Sequence, residues 1–307
     1  MRGVWRIMTA GMAALSMAGW LQPFESSVAA EEKAASSAGN DEAQTPAAKE
    51  PSDDEKEQLR IAKRHVMNLN MRVLGGADGA VPPVDRPLLA YGDPARTTSH
   101  GTLWAFGTRG RPDAFMELWQ GTETQTFWYQ SLIRAGDRRL VLELPGGRQW
   151  RPPQEKIARN LIGDAAPPSA NRPGRLRQLK SLARRFTAYE VGDPDRARFE
   201  LRLLVQPVHR YYDADHALQD GAAFIFAHGT NPELVLLIEA LGTAVDQAHW
   251  HYSAFPSSSA ELHVELDGHE VWMRPGAPGV VGQPTDDYWL FSLPAEDAQS
   301  PLRTSSK

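Results

Sequence analysis

Gly101-Thr-Leu-Trp-Ala-Phe-Gly-Thr-Arg-Gly-Arg-Pro-Asp-Ala-Phe-Met-Glu-Leu-Trp119 returns later in the same chain. The second occurrence is Gly221-Ala-Ala-Phe-Ile-Phe-Ala-His-Gly-Thr-Asn-Pro-Glu-Leu-Val-Leu-Leu-Ile-Glu239, at a constant offset of 120. Gly101/Gly221, Trp104/Phe224, Phe106/Phe226, Pro112/Pro232 and Asp113/Glu233 match without a gap. Self-similarity at a fixed period is a statement about how a chain is built. Trp104 and Phe106 alternate as residues on one face of a strand do. The Gly, Asn and Pro residues of 108–112 and 228–232 have turn chemistry. Each copy therefore reads as a hairpin. Residues 233–245 stay open between strand and short helix, because periodicity does not separate the two in so short an apolar run.

Working outward, the match extends to both sides. Trp128 to Trp150 and Trp250 to Trp272 each span 22 positions, with Ser131/Ser253, Leu140/Leu262, Glu143/Glu265, Leu144/Leu266 and Gly146/Gly268 between them. This reads as a second hairpin closing each half. Upstream, Pro87-Leu-Leu and Asp93-Pro-Ala-Arg96 stand against Arg202-Leu-Leu-Val-Gln-Pro207 and Arg210, a short strand running into proline. Further upstream, Ser52-Asp-Asp-Glu55 has the form of a capping box. Leu59, Ala62, Val66, Leu69 and Val73 follow at helical steps, up to Gly75-Gly76. Leu176, Leu179, Leu182 and Phe186 predict the counterpart helix. Its basic residues Arg175, Arg177, Lys180, Arg184 and Arg185 read as a solvated face.

The expected fold is α+β: two similar helix-plus-antiparallel-sheet repeats related by a pseudo-twofold. Their contact would account for strands such as Phe224–Phe226 and Val235–Ile238, which are apolar at successive positions. The expected boundaries are residues 54–152 for the first repeat and 175–294 for the second. Residues 153–174 read as a short connecting helix around Ile157–Ile162 followed by a Pro-rich linker.

The termini read differently. Arg2 and Arg6, an apolar run at Met8–Leu21 and small residues at Val28-Ala-Ala30 have the layout of a secretory signal peptide over residues 1–30. The run of about 14 residues is short of the ~20 of a spanning helix, so no transmembrane anchor is expected after cleavage. Residues 31–53 lack aromatic and large aliphatic side chains and read as a disordered linker, and 295–307 as a loose tail. The expected location is the periplasm or the exterior. The chain has no cysteine, so thiol catalysis, thiolate-held zinc and iron–sulfur clusters are excluded. The whole chain carries a net charge of −5, which argues against nucleic acid as a partner.

Several segments resemble a family of uncharacterised secreted proteins of planctomycete-type bacteria. They are the Pro-Leu-Leu…Asp-Pro-x-Arg segment, the Gly-x-x-Trp-x-Phe…Arg-Pro hairpin, the Arg-Leu-Arg-Gln-Leu helix and the Arg-Leu-Leu-x-Gln-Pro segment. The resemblance covers about residues 55–275. It implies a secreted protein and carries over no catalytic residue.

No cofactor and no metal site is expected. His249, His251 and His263 do not converge if the strand 249–255 pairs directly with 260–266 as a hairpin. Asp213, Asp215 and His216 lack the glycine and distal glutamate of a calcium loop and read as a polar loop. Ser131 and Ser253 lie outside any Gly-x-Ser-x-Gly context. Binding candidates are Arg96, Arg210, Glu143 and Glu265, the last two as a carboxylate pair across a cleft. The many tryptophans admit an exposed stacking patch or a filled core. Two functional classes remain: a non-catalytic binding or scaffolding module for an unknown extracytoplasmic ligand or protein, and an extracytoplasmic hydrolase with a site between the repeats.

Overall fold

The computed structural model describes residues 52–75, 79–93, 98–121, 127–144, 147–192, 196–276 and 282–294. The expected signal peptide and tail lie outside these residues, as does nearly all of the expected linker. Residues 50–307 form one compact unit.

The described residues hold two α-helices against sixteen strands. Helix α1 (Asp53–Met67) starts on a complete capping box of Ser52 and Glu55. It ends earlier than the apolar spacing predicts. Leu69 and Val73 do not continue it, because Asn70–Val73 leaves as strand β1 and pairs with β6 (Leu140–Glu143). Helix α2 (Arg172–Ala183) is capped by Asn171, with Pro173 in its first turn. Phe186, expected on this helix, opens strand β9 (Phe186–Gly192) instead.

The remaining strands of the first part are β2 (Leu89–Asp93), β3 (Thr98–Phe106), β4 (Ala114–Gly121), β5 (Phe127–Arg134) and β7 (Gln149–Trp150). The short β8 (Asn160–Leu161) follows. The second part contributes β10 (Ala197–Asp213), β11 (Leu218–His228), β12 (Asn231–Leu241), β13 (His249–Pro256), β14 (Glu261–Leu266), β15 (His269–Arg274) and β16 (Tyr288–Pro294). They form three antiparallel sheets, ordered β1-β6-β7, β16-β5-β4-β3-β2 and β15-β14-β9-β10-β11-β12-β13-β8. In both parts the strands hold corresponding places, β2-β3-β4-β5 against β10-β11-β12-β13 and β7-β6-β1 against β15-β14-β9. The parts differ in that β9 also pairs with β10, which makes the larger sheet continuous.

The α+β expectation is overturned: the protein is mostly β, and its two helices are single covers on large sheets. The physical reason lies in the connections. Ala197–Asp213 is one long strand where the sequence predicts a short one before Pro207. β10 bulges between Leu204 and His209, and the proline falls within that irregularity, where a strand tolerates it. Residues 231–241 are strand β12, buried on both sides, rather than helix. Residues 153–170 contain no helix. The second hairpin of each half is also corrected. β13 does not pair with β14. β14 crosses to pair with β9 and β15, and β13 pairs with β12 and β8.

Alternate residues of the central strands feed two different cores. In β11, Phe224 and Phe226 face α2, and this core also takes Leu179, Ala188 and Val264, so the sheet curls around the helix. Ala223, Ile225 and Ala227 face Leu103, Ala105, Phe115 and Ile133 of the five-stranded sheet. A third core under α1 takes Trp104, Phe106, Trp128 and Trp150. Strands covered on both faces lose the polar alternation of a half-buried strand.

Candidate functional site

A cleft of about 820 Å³ opens at the seam between the two large sheets. Its walls are the β3–β4 turn, the segment after β5, the β10–β11 connection and the end of β12.

Asp113 builds the first wall. Its backbone N–H returns to the Phe106 carbonyl, and its own carbonyl accepts from Ala135 and Gly136. Gly107 has φ +99°, and a Cβ there would come within 2.8 Å of the Asp113 carboxylate. Glycine is therefore required for both conformation and space. Arg138 closes over this buried carboxylate with two hydrogen bonds, its Nε at 2.6 Å.

The floor is Arg111 on Glu239. The guanidinium donates to Glu239 at 2.9, 3.1 and 2.6 Å, and further to Ser253 Oγ and the Ala135 carbonyl. Tyr211 donates its hydroxyl to the same carboxylate at 3.0 Å. Burial works against the charge on Arg111, but the Glu239 carboxylate outweighs it and holds the pKa above its ordinary value. Glu239 is 1% exposed, so this is a desolvated ion pair whose remaining valences are met by hydrogen bonds.

Two more pairs stand at the rim. Arg109 reaches Asp213 at 3.3 Å and also Asp215, and His216 Nδ1 lies 2.8 Å from Asp213. Arg159 donates to Asp137 at 2.6 Å, and the Ile157 backbone N–H donates to the same carboxylate. Burial raises the pKa of Asp137, but those two donors outweigh it and bring it below the ordinary range.

The cleft is thus lined by Arg109, Arg111, Arg138 and Arg159 against Asp113, Asp137, Asp213 and Glu239. Every one of these charges is paired. The segment Tyr211–His216, read from sequence as a plain polar loop, forms part of this wall.

Of the binding candidates read from sequence, none that is described lines the cleft. Arg96 lies outside the described residues. Arg210 shares the fully buried Asp220 with Arg175 and does not line the cleft. Arg175, expected on a solvated helix face, is 6% exposed. Glu143 pairs with Arg72 on β1, and Glu265 accepts from Thr187 on the neighbouring strand. Neither reaches the cleft, so they make no carboxylate pair across it. Ser253 sits opposite Leu237 and donates to the Ala158 carbonyl while accepting from Arg111. His251 lies opposite Glu239 in register, and His263 opposite Tyr189 and Met273. No group of metal-binding side chains occurs among the described residues.

Trp104, Trp128, Trp150 and Trp250 are wholly buried, which removes them from any exposed stacking patch. No helix among the described residues is long and apolar enough to cross a membrane. The site residues that sequence reasoning missed are Arg109, Arg111, Arg138, Arg159, Asp113, Asp137 and Glu239. Their one signal was a turn holding two arginines beside a glycine, Arg109-Gly-Arg111. No family, curated protein or solved structure matches the chain.

Proposed function

We propose that this is an exported, non-catalytic binding protein whose cleft takes a neutral, polyhydroxylated small molecule of the saccharide class. The observation that carries the reading is the charge balance of the lining, four arginines against four carboxylates, all paired. No surplus charge is left to select an anion or a cation. The cleft still presents fixed guanidinium N–H donors and carboxylate acceptors at close quarters. A sugar hydroxyl donates and accepts at once, which suits such a surface. Small-molecule sites are typically concave, with a few polar groups that fix orientation. The hydrolase alternative has less support, because each lining carboxylate accepts from an arginine and none stands as an uncommitted acid or base. Export is supported by the basic, apolar and small-residue order of residues 1–30, and by the resemblance to secreted proteins.

The test is isothermal titration of residues 50–307, the compact unit, against neutral oligosaccharides, citrate and spermidine. Heat with a neutral saccharide is expected, abolished by Arg109→Ala together with Asp137→Ala at the rim. Binding of citrate or spermidine alone would overturn the reading, as would no binding by any of the three classes.

A further inference from the structure

The same seam between the sheets has further buried glutamates, Glu233 on β12 and Glu117 on β4, the latter 4% exposed. Tyr91 on β2 donates its hydroxyl to Oε1. Ser131 on β5 and Ser257, just past β13, donate to Oε2 at 3.4 and 3.0 Å. Tyr91 and Ser131 belong to the sheet of Glu117. Ser257 belongs to the other chain segment, 140 residues away, and its backbone N–H is fixed on the Glu233 carbonyl. The Ser257–Glu117 bond is therefore a polar link across the seam.

Its counterpart at the cleft is built differently. Glu239 also receives a tyrosine hydroxyl, from Tyr211, but has Arg111 to balance its charge. Among the described residues, Glu117 has three hydroxyls and no cation in hydrogen-bonding contact. The position 120 residues after Arg111 is Asn231, whose side chain donates to Thr98. Among the described residues, the other titratable groups whose charge reaches this cluster are Tyr288 on β16 and Glu233 on β12. Arg274 on β15 stands over the Tyr288 ring at 4.8 Å and not on Glu117.

We propose that a proton on Glu117 latches the two sheets together at this end of the seam, and that its loss opens the contact at Ser257 while the Arg111–Glu239 end stays closed. An ionised carboxylate without a cation gains by hydration. Parting of the seam at Ser257 would bring water to Glu117. Burial accordingly pushes the Glu117 carboxyl up to about 7, although its three hydroxyl donors work in the opposite direction.

The sign follows from proton linkage. The closed state keeps its proton over a pH range in which an open, hydrated glutamate has lost it. The stabilisation is full below the ordinary glutamate range, declines as pH rises, and is gone above about 7. Local opening at Ser257 should rise on the order of a hundredfold across that window.

The experiment is amide hydrogen exchange of residues 50–307 at pH 5 to 8, corrected for intrinsic rates, with the amide of Glu239 as the fixed reference. Protection at Ser257 should fall with pH in the wild type and stay level in Glu117→Gln, which is neutral throughout. An equal fall in Glu117→Gln, or no fall in the wild type, would overturn the latch. Tyr91→Phe is the second variant, should Glu117→Gln fail to fold. It removes a donor that favours the ionised form, so the midpoint should move to higher pH. An unmoved midpoint counts against the proposal.

Discussion

Arg111 reaches from the β3–β4 turn across the seam and binds the Glu239 carboxylate of β12 through two of its nitrogens. The two residues are 128 apart in sequence and belong to different sheets. The pair therefore holds the cleft floor and the packing of the sheets at once. A buried ion pair adds little over an apolar pair of equal shape, but losing one partner strands the other.

Arg111→Met is the direct test of that floor. Glu239 would keep only the Tyr211 hydroxyl, and its charge would stay buried. The expected loss is about 3–5 kcal/mol in urea unfolding. Arg111→Met with Glu239→Leu should recover much of it, since no uncompensated charge remains. A single variant as stable as the wild type would show that water already reaches this carboxylate.

Gly101 and Gly221 carry the sequence match for a steric reason. Each lies under a tyrosine ring paired to it across the strand, Tyr91 over Gly101 and Tyr211 over Gly221. A Cβ on Gly101 would stand 2.3 Å from the Tyr91 ring, and one on Gly221 2.5 Å from Tyr211. Neither ring is free to swing, because its hydroxyl is held on a buried glutamate. Gly101→Ala and Gly221→Ala should each cost about 1–3 kcal/mol from overpacking. Gly163→Ala, where nothing lies within 4 Å of the added carbon, is the control and should be near neutral. Thermal unfolding of the three variants decides it.

The parts of the fold legible in sequence are those set by local pattern. The capping box at Ser52, the hairpins β3–β4 and β11–β12, and the doubly buried Phe224–Phe226 all follow from residue chemistry and spacing. Pairing between distant strands does not. Nothing in Glu261–Leu266 says that it leaves β13 and joins β9, because an amphipathic strand fits either neighbour. Helix spacing also overran at both helices, as Leu69 and Phe186 satisfy a strand as well as one more helical turn. The cleft was hidden for a related reason. Arg111 and Glu239 are ordinary surface residue types until the topology brings them together. Glu143 and Glu265, chosen because they matched, sit on outward faces, where a match records sheet position and not chemistry.

Trp128 and Trp250 match in sequence and are both about 1% exposed, but only one has an acceptor for its indole. Trp250 Nε1 donates to the Ala166 carbonyl at 3.1 Å. Trp128 Nε1 is buried without a partner among the described residues. Substitution by phenylalanine removes the same volume in both places, so the cavity cost is shared. The polar cost is not: Trp250→Phe gives up a protein hydrogen bond to the exposed Ala166, whereas Trp128→Phe removes a buried donor that has no partner among the described residues. Trp250→Phe should therefore be the more damaging by about 1–3 kcal/mol, measured as the difference between the two variants in urea unfolding. Equal losses would mean that an ordered water serves the Trp128 indole, and a bound water of that kind would show as a slowly exchanging indole proton by NMR.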